Sequence, residues 1–360
     1  MKPTKEKMEY RYLGNTGLRV SVIGLGNWLN NENDAQTVEC TKAALENGIN
    51  FFDTAECYGF GMAETTLGKA LKELNVQREK IVVTTKIFKI GTDPNDTFLS
   101  RKHIIEAIKN SLKRLQLEYV DIVYCHRYDR QTPMKEVVEA MNWCIEQGYA
   151  LYWGTSEWTA CQIMEAYSIC DELRLIRPIV EQCQYNMFHR ENMENEYRDL
   201  FKRYKMGTTV FSPLKSGILT GKYINEIPED SRANSKNERT KGLIKGEDYW
   251  KNKASYDNKL NQLKNIAENK LGCTLGQLAL AWVIANPDVS CCLIGATKGS
   301  QIEENVKAIE ISKKLDKDLL IEIENILQNV PKGEIDYLNW KELPSRRNIS
   351  MGIDYIKNNQ

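Results

Sequence analysis

Short apolar runs alternate with stretches of helical spacing along most of the chain, and the alternation predicts its elements. Tyr10 to Leu13, the turn Gly14-Asn15-Thr16-Gly17 and Leu18 to Val20 read as a small hairpin that plugs or caps something. Ser21 to Gly26 is a short apolar strand. Asp34 to Asn47 has helical spacing and stops at Gly48, and Ile49 to Asp53 is the next strand. The same beat continues through helix Ala63 to Leu74 and the β-branched strand Ile81 to Lys86. Helix Ser100 to Leu115 is followed by strand Val120 to His126, and helix Pro133 to Gln147 by strand Ala150 to Ser156. Helix Thr159 to Cys170, strand Pro178 to Gln182, helix Glu194 to Tyr204 and strand Thr208 to Pro213 follow. After a polar interruption, helical spacing returns at Tyr256 to Lys270 and Leu275 to Ala285. Val289 to Gly295 is the last strand and Ser300 to Ile309 the last crossover helix.

Eight strands end near Gly24, Asp53, Lys86, His126, Ser156, Gln182, Ser212 and Gly295, at spacings suited to strand-helix units. Eight such units predict an α/β fold, a closed (β/α)8 TIM barrel rather than an open doubly wound sheet. The strands' carboxyl ends then face one mouth. The expected organisation is one barrel domain over 1–330, with an N-terminal β-hairpin, a long loop after strand 7, a C-terminal helix, and an extension over 331–360. The charged segment from Ser216 to about Lys253 reads as a loop or lid over the mouth, or as a solvated insertion. The tail from Pro331 has no clear period, and packing back and disorder both stay open.

Composition narrows the classes of function. Lysine plus arginine and aspartate plus glutamate both number 49, so no overall field favours nucleic acid or an anionic membrane. The first residues, Met1 to Lys7, lack the apolar core of a signal peptide, and no run reaches membrane-spanning length. A soluble, cytoplasmic protein is expected. The ten cysteines form no Cys-x-x-Cys pair and read as reduced core thiols, with Cys57 and Cys125 of interest because each precedes a residue of the constellation below. The Gly24-Leu25-Gly26 turn invites a dinucleotide fingerprint, but Leu29 stands where its third glycine belongs.

Taken singly, Asp53 reads as a turn or cap acid, Lys86 as a solvated charge and Tyr58 as a rim aromatic. His126 is one of only three histidines and ends an apolar strand. At one barrel mouth the four make an acid–base machine. Lys86 would favour the Tyr58 phenolate and lower its pKa, Asp53 would hold the ammonium, and His126 would orient a substrate oxygen. Carbonyl reduction suits this set, with a proton from Tyr58. None of the four supplies hydride, so a nicotinamide is implied. A metal-dependent hydrolase lacks its cluster of His and acid ligands, and no metal is expected.

These residues carry a resemblance. Asp53, Tyr58, Lys86 and His126 are similar, in type, order and strand position, to the catalytic tetrad of the aldo-keto reductase superfamily. The chain most resembles its voltage-gated potassium channel beta-subunit-like branch. Gly24-Leu25-Gly26-Asn27-Trp28, Phe52 to Glu56, Tyr152 to Trp158, Tyr185-Asn186-Met187-Phe188, Ser216 to Tyr223 and Gly295-Ala296-Thr297 carry it, over about Tyr10 to Leu327. The resemblance implies an NADPH/NADP+ site. Gly26, Asn27, Trp28 and Asp53 would lie by the nicotinamide ribose, Ser156 and Gln182 on the carboxamide, and Tyr185 on the ring face. Phe211, Ser212, Pro213, Leu214, Ser216 and Lys222 would follow the pyrophosphate. Arg232, Gly295, Thr297, Gln301, Glu304 and Asn305 would hold the adenosine and its 2'-phosphate, with Lys298 adding charge and amide N–H groups of the last helix favouring the anion.

The implied activity is NADPH-dependent reduction of aldehydes or ketones, of the NADP+-linked alcohol dehydrogenase type, on a small carbonyl substrate. The branch also implies a homotetramer. The rival is a cofactor-sensing regulatory beta subunit of a channel. Animal channel subunits carry asparagine where this chain has His126, and the histidine favours the working reductase.

Overall fold

The computed structural model describes residues 8–29, 33–229, 231–235, 238–333, 335–338 and 340–353. Residues 1–7 and the end of the tail lie outside the described residues. The chain divides into two compact units. One comprises Met1–Cys183, Glu196–Phe211 and Asp288–Val306, and the other Gln184–Asn195, Ser212–Pro287 and Lys307–Gln360.

In the first unit, β1 (Tyr10–Tyr12) pairs antiparallel with β2 (Arg19–Ser21), the expected hairpin. The eight parallel strands are β3 (Ile23–Gly26), β4 (Phe51–Asp53), β5 (Val82–Ile87), β6 (Val120–Cys125), β7 (Ala150–Ser156), β8 (Val180–Gln184), β9 (Gly207–Phe211) and β10 (Cys291–Ile294). They close into a barrel in chain order, the seam joining β10 to β3 with Cys292 beside Ile23. The sequence reading therefore holds for the fold: a (β/α)8 barrel with an N-terminal hairpin.

Side chains alternate between the two faces of a strand, and that period fills the barrel. Phe51, Val82, Ile122, Tyr124, Val180, Cys291 and Leu293 pack inside with Leu13 and Val20 of the hairpin. The hairpin plugs the end of the barrel where strands begin. Gly14, in the left-handed region at φ 58°, lies so close to Gly207 that a Cβ would sit 2.3 Å from the Gly207 amide nitrogen. Only glycine meets both demands there.

The helices begin where the sequence signals them. Ser100 caps Arg101–Leu115 by accepting the His103 amide, and Thr159 and Gln162 form a capping box on Ala160–Leu173. The helix expected over 194–204 winds instead partly as wider π turns, at Asn192–Glu196 and Leu200–Tyr204. Gly299–Val306 is the last crossover helix of this unit.

The second unit holds structure in the stretch the sequence left featureless. The polar segment after β9 carries helices Glu238–Lys245 and Asp248–Lys251, and the helix expected from Tyr256 begins at Lys253 and runs to Asn265. Its few aromatics make their own small core, with the Tyr249 ring 4.9 Å from Trp250 and the Tyr249 hydroxyl bonded to the Tyr223 carbonyl and Asp257. Scattered aromatics without helical period hid this packing. The tail packs back as helix Arg346–Met351, after a two-stranded ribbon of β11 (Ile335–Asp336) and β12 (Lys341–Glu342). Arg347 is fully buried, its guanidinium 3.9 Å from the Trp282 ring centroid and donating to the Tyr185 hydroxyl at 3.2 Å. Arg190 binds Glu194 and Glu324 beside it through paired contacts of 2.6–2.9 Å. Among the described residues no helix is long and apolar enough to cross a membrane.

Candidate active site

The alternation that fills the barrel also selects its mouth. Two residues beyond inward-facing Phe51 comes Asp53. Beyond Val82 come Thr84 and Lys86, beyond Tyr124 comes His126, and beyond Val180 comes Gln182. Because the strands are parallel, these last inward positions share the carboxyl-terminal end. Asp53, Thr84, Lys86 and Gln182 are all buried there.

Asp53 is the hub. One carboxylate oxygen accepts from the Thr84 hydroxyl at 2.7 Å and the Gln182 amide at 3.1 Å, and the other from the Lys86 ammonium. Lys86 also donates to the Thr54 carbonyl at 2.8 Å. Its Nζ lies 4.9 Å from the Tyr58 ring centroid, and the Tyr58 ring meets His126 edge-on at 5.7 Å. A chain of hydrogen bonds continues from Arg127 to the Ser156 hydroxyl at 3.3 Å, and from Ser156 to the Gln182 carbonyl at 2.8 Å. Asp53, Tyr58, Lys86, His126, Ser156 and Gln182 thus meet within one unit.

Burial and charge set the protonation states. Burial lowers the Lys86 ammonium's pKa, but Asp53 and Tyr58 more than offset it and the group ends above its ordinary value. His126 lies well below its ordinary value because burial, then Lys86 and Arg127, disfavour the imidazolium. Tyr58 departs from the expectation that Lys86 lowers it. Desolvation outweighs the ammonium and raises the phenol above its usual pKa. The site therefore presents a charged lysine, a neutral imidazole and a phenol that keeps its proton.

Tyr58 follows directly on a segment that is locked in place. The chain past Asp53 stays zipped to β5 through Thr54 to Thr84 and Glu56 to Lys86 backbone bonds. The Glu56 carboxylate accepts the Phe88 amide at 2.7 Å and faces His103 Nε2 at 3.1 Å, while His103 Nδ1 lies 3.0 Å from the Asn95 carbonyl. Burial lowers the His103 pKa, yet its bond to Glu56 and that carboxylate's charge raise it above normal overall. A group raised on folding contributes fully below its unfolded pKa of about 6.5 and loses that contribution as pH climbs through the folded value. Thermal unfolding of the wild type against His103→Gln should accordingly show a gap on the order of 1.5–3 kcal/mol in mild acid, closing as pH rises. A gap independent of pH would break this account.

The remaining expected cofactor residues fall into separate groups. Gly26 and Phe211 end β3 and β9 in the barrel unit, both partly exposed. Asn27 is buried and its amide donates to the Ala63 carbonyl at 2.6 Å, so its side chain anchors the turn Asn27–Leu29, which also carries Trp28. Tyr185 needs a correction. It belongs to the second unit, is fully buried, packs its ring 5.2 Å from Trp282, and bonds its hydroxyl to Glu194 at 2.8 Å. No ring face is open to stack on a nicotinamide.

Ser212, Pro213, Leu214, Ser216, Lys222 and Arg232 also lie in the second unit. Here Ser212, Lys215 and Ser216 take φ of 52°, 43° and 58°, followed by Gly217 at 90°. So many non-glycine residues in the left-handed region are costly and concentrate at binding sites. Lys222 folds over this turn, close enough that a Cβ on Gly217 would lie 2.8 Å from its Cε. A strained turn under an ammonium fits a pyrophosphate. Lys215, in contrast, is tied to Glu247 at 2.8 Å.

At the last helix the barrel unit carries Gly295, Thr297, Gln301, Glu304 and Asn305. The Gln301 side chain already accepts the Thr297 and Lys298 amides at 2.8 and 3.3 Å, and the Glu39 carboxylate accepts the Gly299 amide at 2.6 Å. The amides of Thr297, Lys298 and Gly299 are thus satisfied by the chain itself, with the Lys298 side chain adding a positive charge beside them.

Several residues of the mouth escaped the sequence reading. Thr84 was legible, since it shares the inward face of β5 with Lys86. Thr209, which bonds both Gln182 at 3.3 Å and Tyr124 at 3.2 Å, was equally so on β9. The Glu56–His103 pair and the approach of Cys57 to His126 depend on loop geometry that no periodicity encodes. Cys125 is fully buried with its thiol pushed well up, an inert core residue.

A closed barrel whose mouth gathers a buried Asp–Lys pair, a tyrosine and a histidine defines an acid–base site. The sequence matches the model of the aldo/keto reductase family over residues 22–328, and the chain belongs to that family. It is 46% identical over 337 residues to a probable voltage-gated potassium channel subunit beta of Oryza sativa subsp. japonica, covering 92% of this chain and all of the relative. The protein of the same description from Arabidopsis thaliana matches to the same extent.

Proposed function

We propose that the protein is an NADPH-dependent reductase of aldehydes or ketones, acting in the cytoplasm on small carbonyl compounds. The observation that carries this reading is the buried Lys86 ammonium held by Asp53 against Tyr58, beside a neutral His126. When bound, a reduced nicotinamide would supply hydride. Gly26, Ser156 and Gln182 would hold its nicotinamide end, with Phe211 as the aromatic that flanks the ring in place of Tyr185. At the last helix of the barrel unit, Gly295, Thr297, Lys298, Gln301, Glu304 and Asn305 would take the adenosine end, while for Ser212, Pro213, Leu214, Ser216, Lys222 and Arg232 of the second unit the assignment to the phosphates rests on the family resemblance.

The chain's own groups divide the work. His126 donates a hydrogen bond to the carbonyl oxygen and orients it. Tyr58 delivers its proton to that oxygen as negative charge develops there, and Lys86 stabilises the phenolate left behind. Asp53 fixes the ammonium and is itself held by Thr84 and Gln182. Mixing the protein with NADPH and a panel of small aldehydes should deplete the reduced cofactor's absorbance, faster than with NADH. Tight NADPH binding without turnover of any carbonyl would instead favour the second reading, a cofactor-sensing channel beta subunit, whose channel part is supported by the similarity to the two plant proteins named as probable channel beta subunits. Under either reading a homotetramer is the expected assembly.

A further inference from the structure

Cys57 stands between the locked Glu56 and the reactive Tyr58, and its sulfur lies 3.5 Å from Nδ1 of His126. We propose that the Cys57 thiol is a positioning residue that donates its S–H to His126 Nδ1 and so fixes the imidazole tautomer with the proton on Nε2. The inference rests on the reductase reading, because only in that tautomer can His126 donate to a carbonyl oxygen while its other nitrogen faces the loop.

Three observations support this direction of donation. The thiol keeps its proton, since burial pushes its pKa up to about 11 despite the opposing Lys86 charge. The imidazole is neutral, because burial and then the Lys86 and Arg127 charges disfavour a second proton. A neutral imidazole has one strong nitrogen acceptor and one N–H, whereas a thiol sulfur is a weak acceptor. The pairing of S–H with bare nitrogen is therefore favoured over N–H with sulfur. The backbone holds the contact in place. Glu56 is zipped to Lys86, the His126 amide donates to the Ile87 carbonyl at 3.0 Å, and both partners thus hang from the end of β5.

The test is nitrogen NMR of the full chain carrying 15N-labelled histidine, with His126 assigned as the signal set lost in His126→Asn. Wild type should show an unprotonated Nδ1 and a protonated Nε2 at neutral pH. Cys57→Ala should give a mixture of tautomers, and Cys57→Ser, whose hydroxyl also donates, should restore the wild-type pattern. In parallel, Cys57→Ala should lower kcat for aldehyde reduction about three- to tenfold with NADPH affinity unchanged, and Cys57→Ser should recover most of it. A proton on Nδ1 in the wild type, or a tautomer indifferent to Cys57→Ala, overturns the inference. The spectra need no turnover, so failure of the reductase reading would show separately, as inactivity of a wild type with the expected tautomer.

Discussion

Tyr58→Phe is expected to lower kcat for aldehyde reduction by about 10²–10⁴-fold, the range over which a positioned general acid contributes, with NADPH affinity and unfolding midpoint essentially unchanged. The substitution removes one oxygen and leaves the ring that faces Lys86 at 4.9 Å and His126 at 5.7 Å. Packing is preserved, so a loss of turnover reports on the proton. Because burial raises the phenol above its ordinary pKa of about 10, the wild-type reductive rate should stay flat through neutral pH and fall only in strong alkali, as the donor is lost. The oxidative direction, which needs the phenolate, should rise over the same alkaline range. A Tyr58→Phe protein that retained most of its rate would remove the tyrosine from the reaction.

Lys86→Met should destabilise the protein by about 3–5 kcal/mol, the usual result of leaving one partner of a buried ion pair uncompensated, and should also abolish measurable reduction. Both partners are almost completely buried, at 0% and 4% side-chain exposure. Asp53 would keep Thr84 and Gln182 as donors but lose the charge that balances it. Adding Asp53→Asn removes the stranded charge, and the double variant should regain most of the stability while remaining inactive. Denaturant midpoints and NADPH consumption measured on the wild type and the two variants separate the structural role of the pair from its chemical one. Recovery of turnover in the double variant would show that the ammonium does not assist Tyr58.

The barrel was legible because parallel strands buried on both faces read as apolar runs, and their spacing left only a closed ring as a common plan. The mouth was legible for the same reason. Asp53, Lys86, His126, Ser156 and Gln182 each continue the inward period of a strand whose earlier residues fill the core. What depended on loops was harder. Asn27 belongs to a motif the resemblance assigns to the cofactor, but its amide is spent on Ala63. Tyr185 follows Gln182 closely in sequence, yet the chain leaves the barrel at Gln184, and the tyrosine becomes part of another core with Trp282 and Arg347. The expected lowering of the Tyr58 pKa failed on magnitude, since sequence identifies the neighbouring cation and says nothing of how dry the site is.

The seam between β10 and β3 has a consequence for how the protein is made. During synthesis the strand at Ile23 emerges long before its partner at Cys292, so the ring cannot close until both have left the ribosome. Until then β3 exposes an unpaired edge of backbone amides and carbonyls, the kind of edge that recruits other strands. Shielding of that edge is therefore needed from the emergence of the first strand until the last one pairs with it.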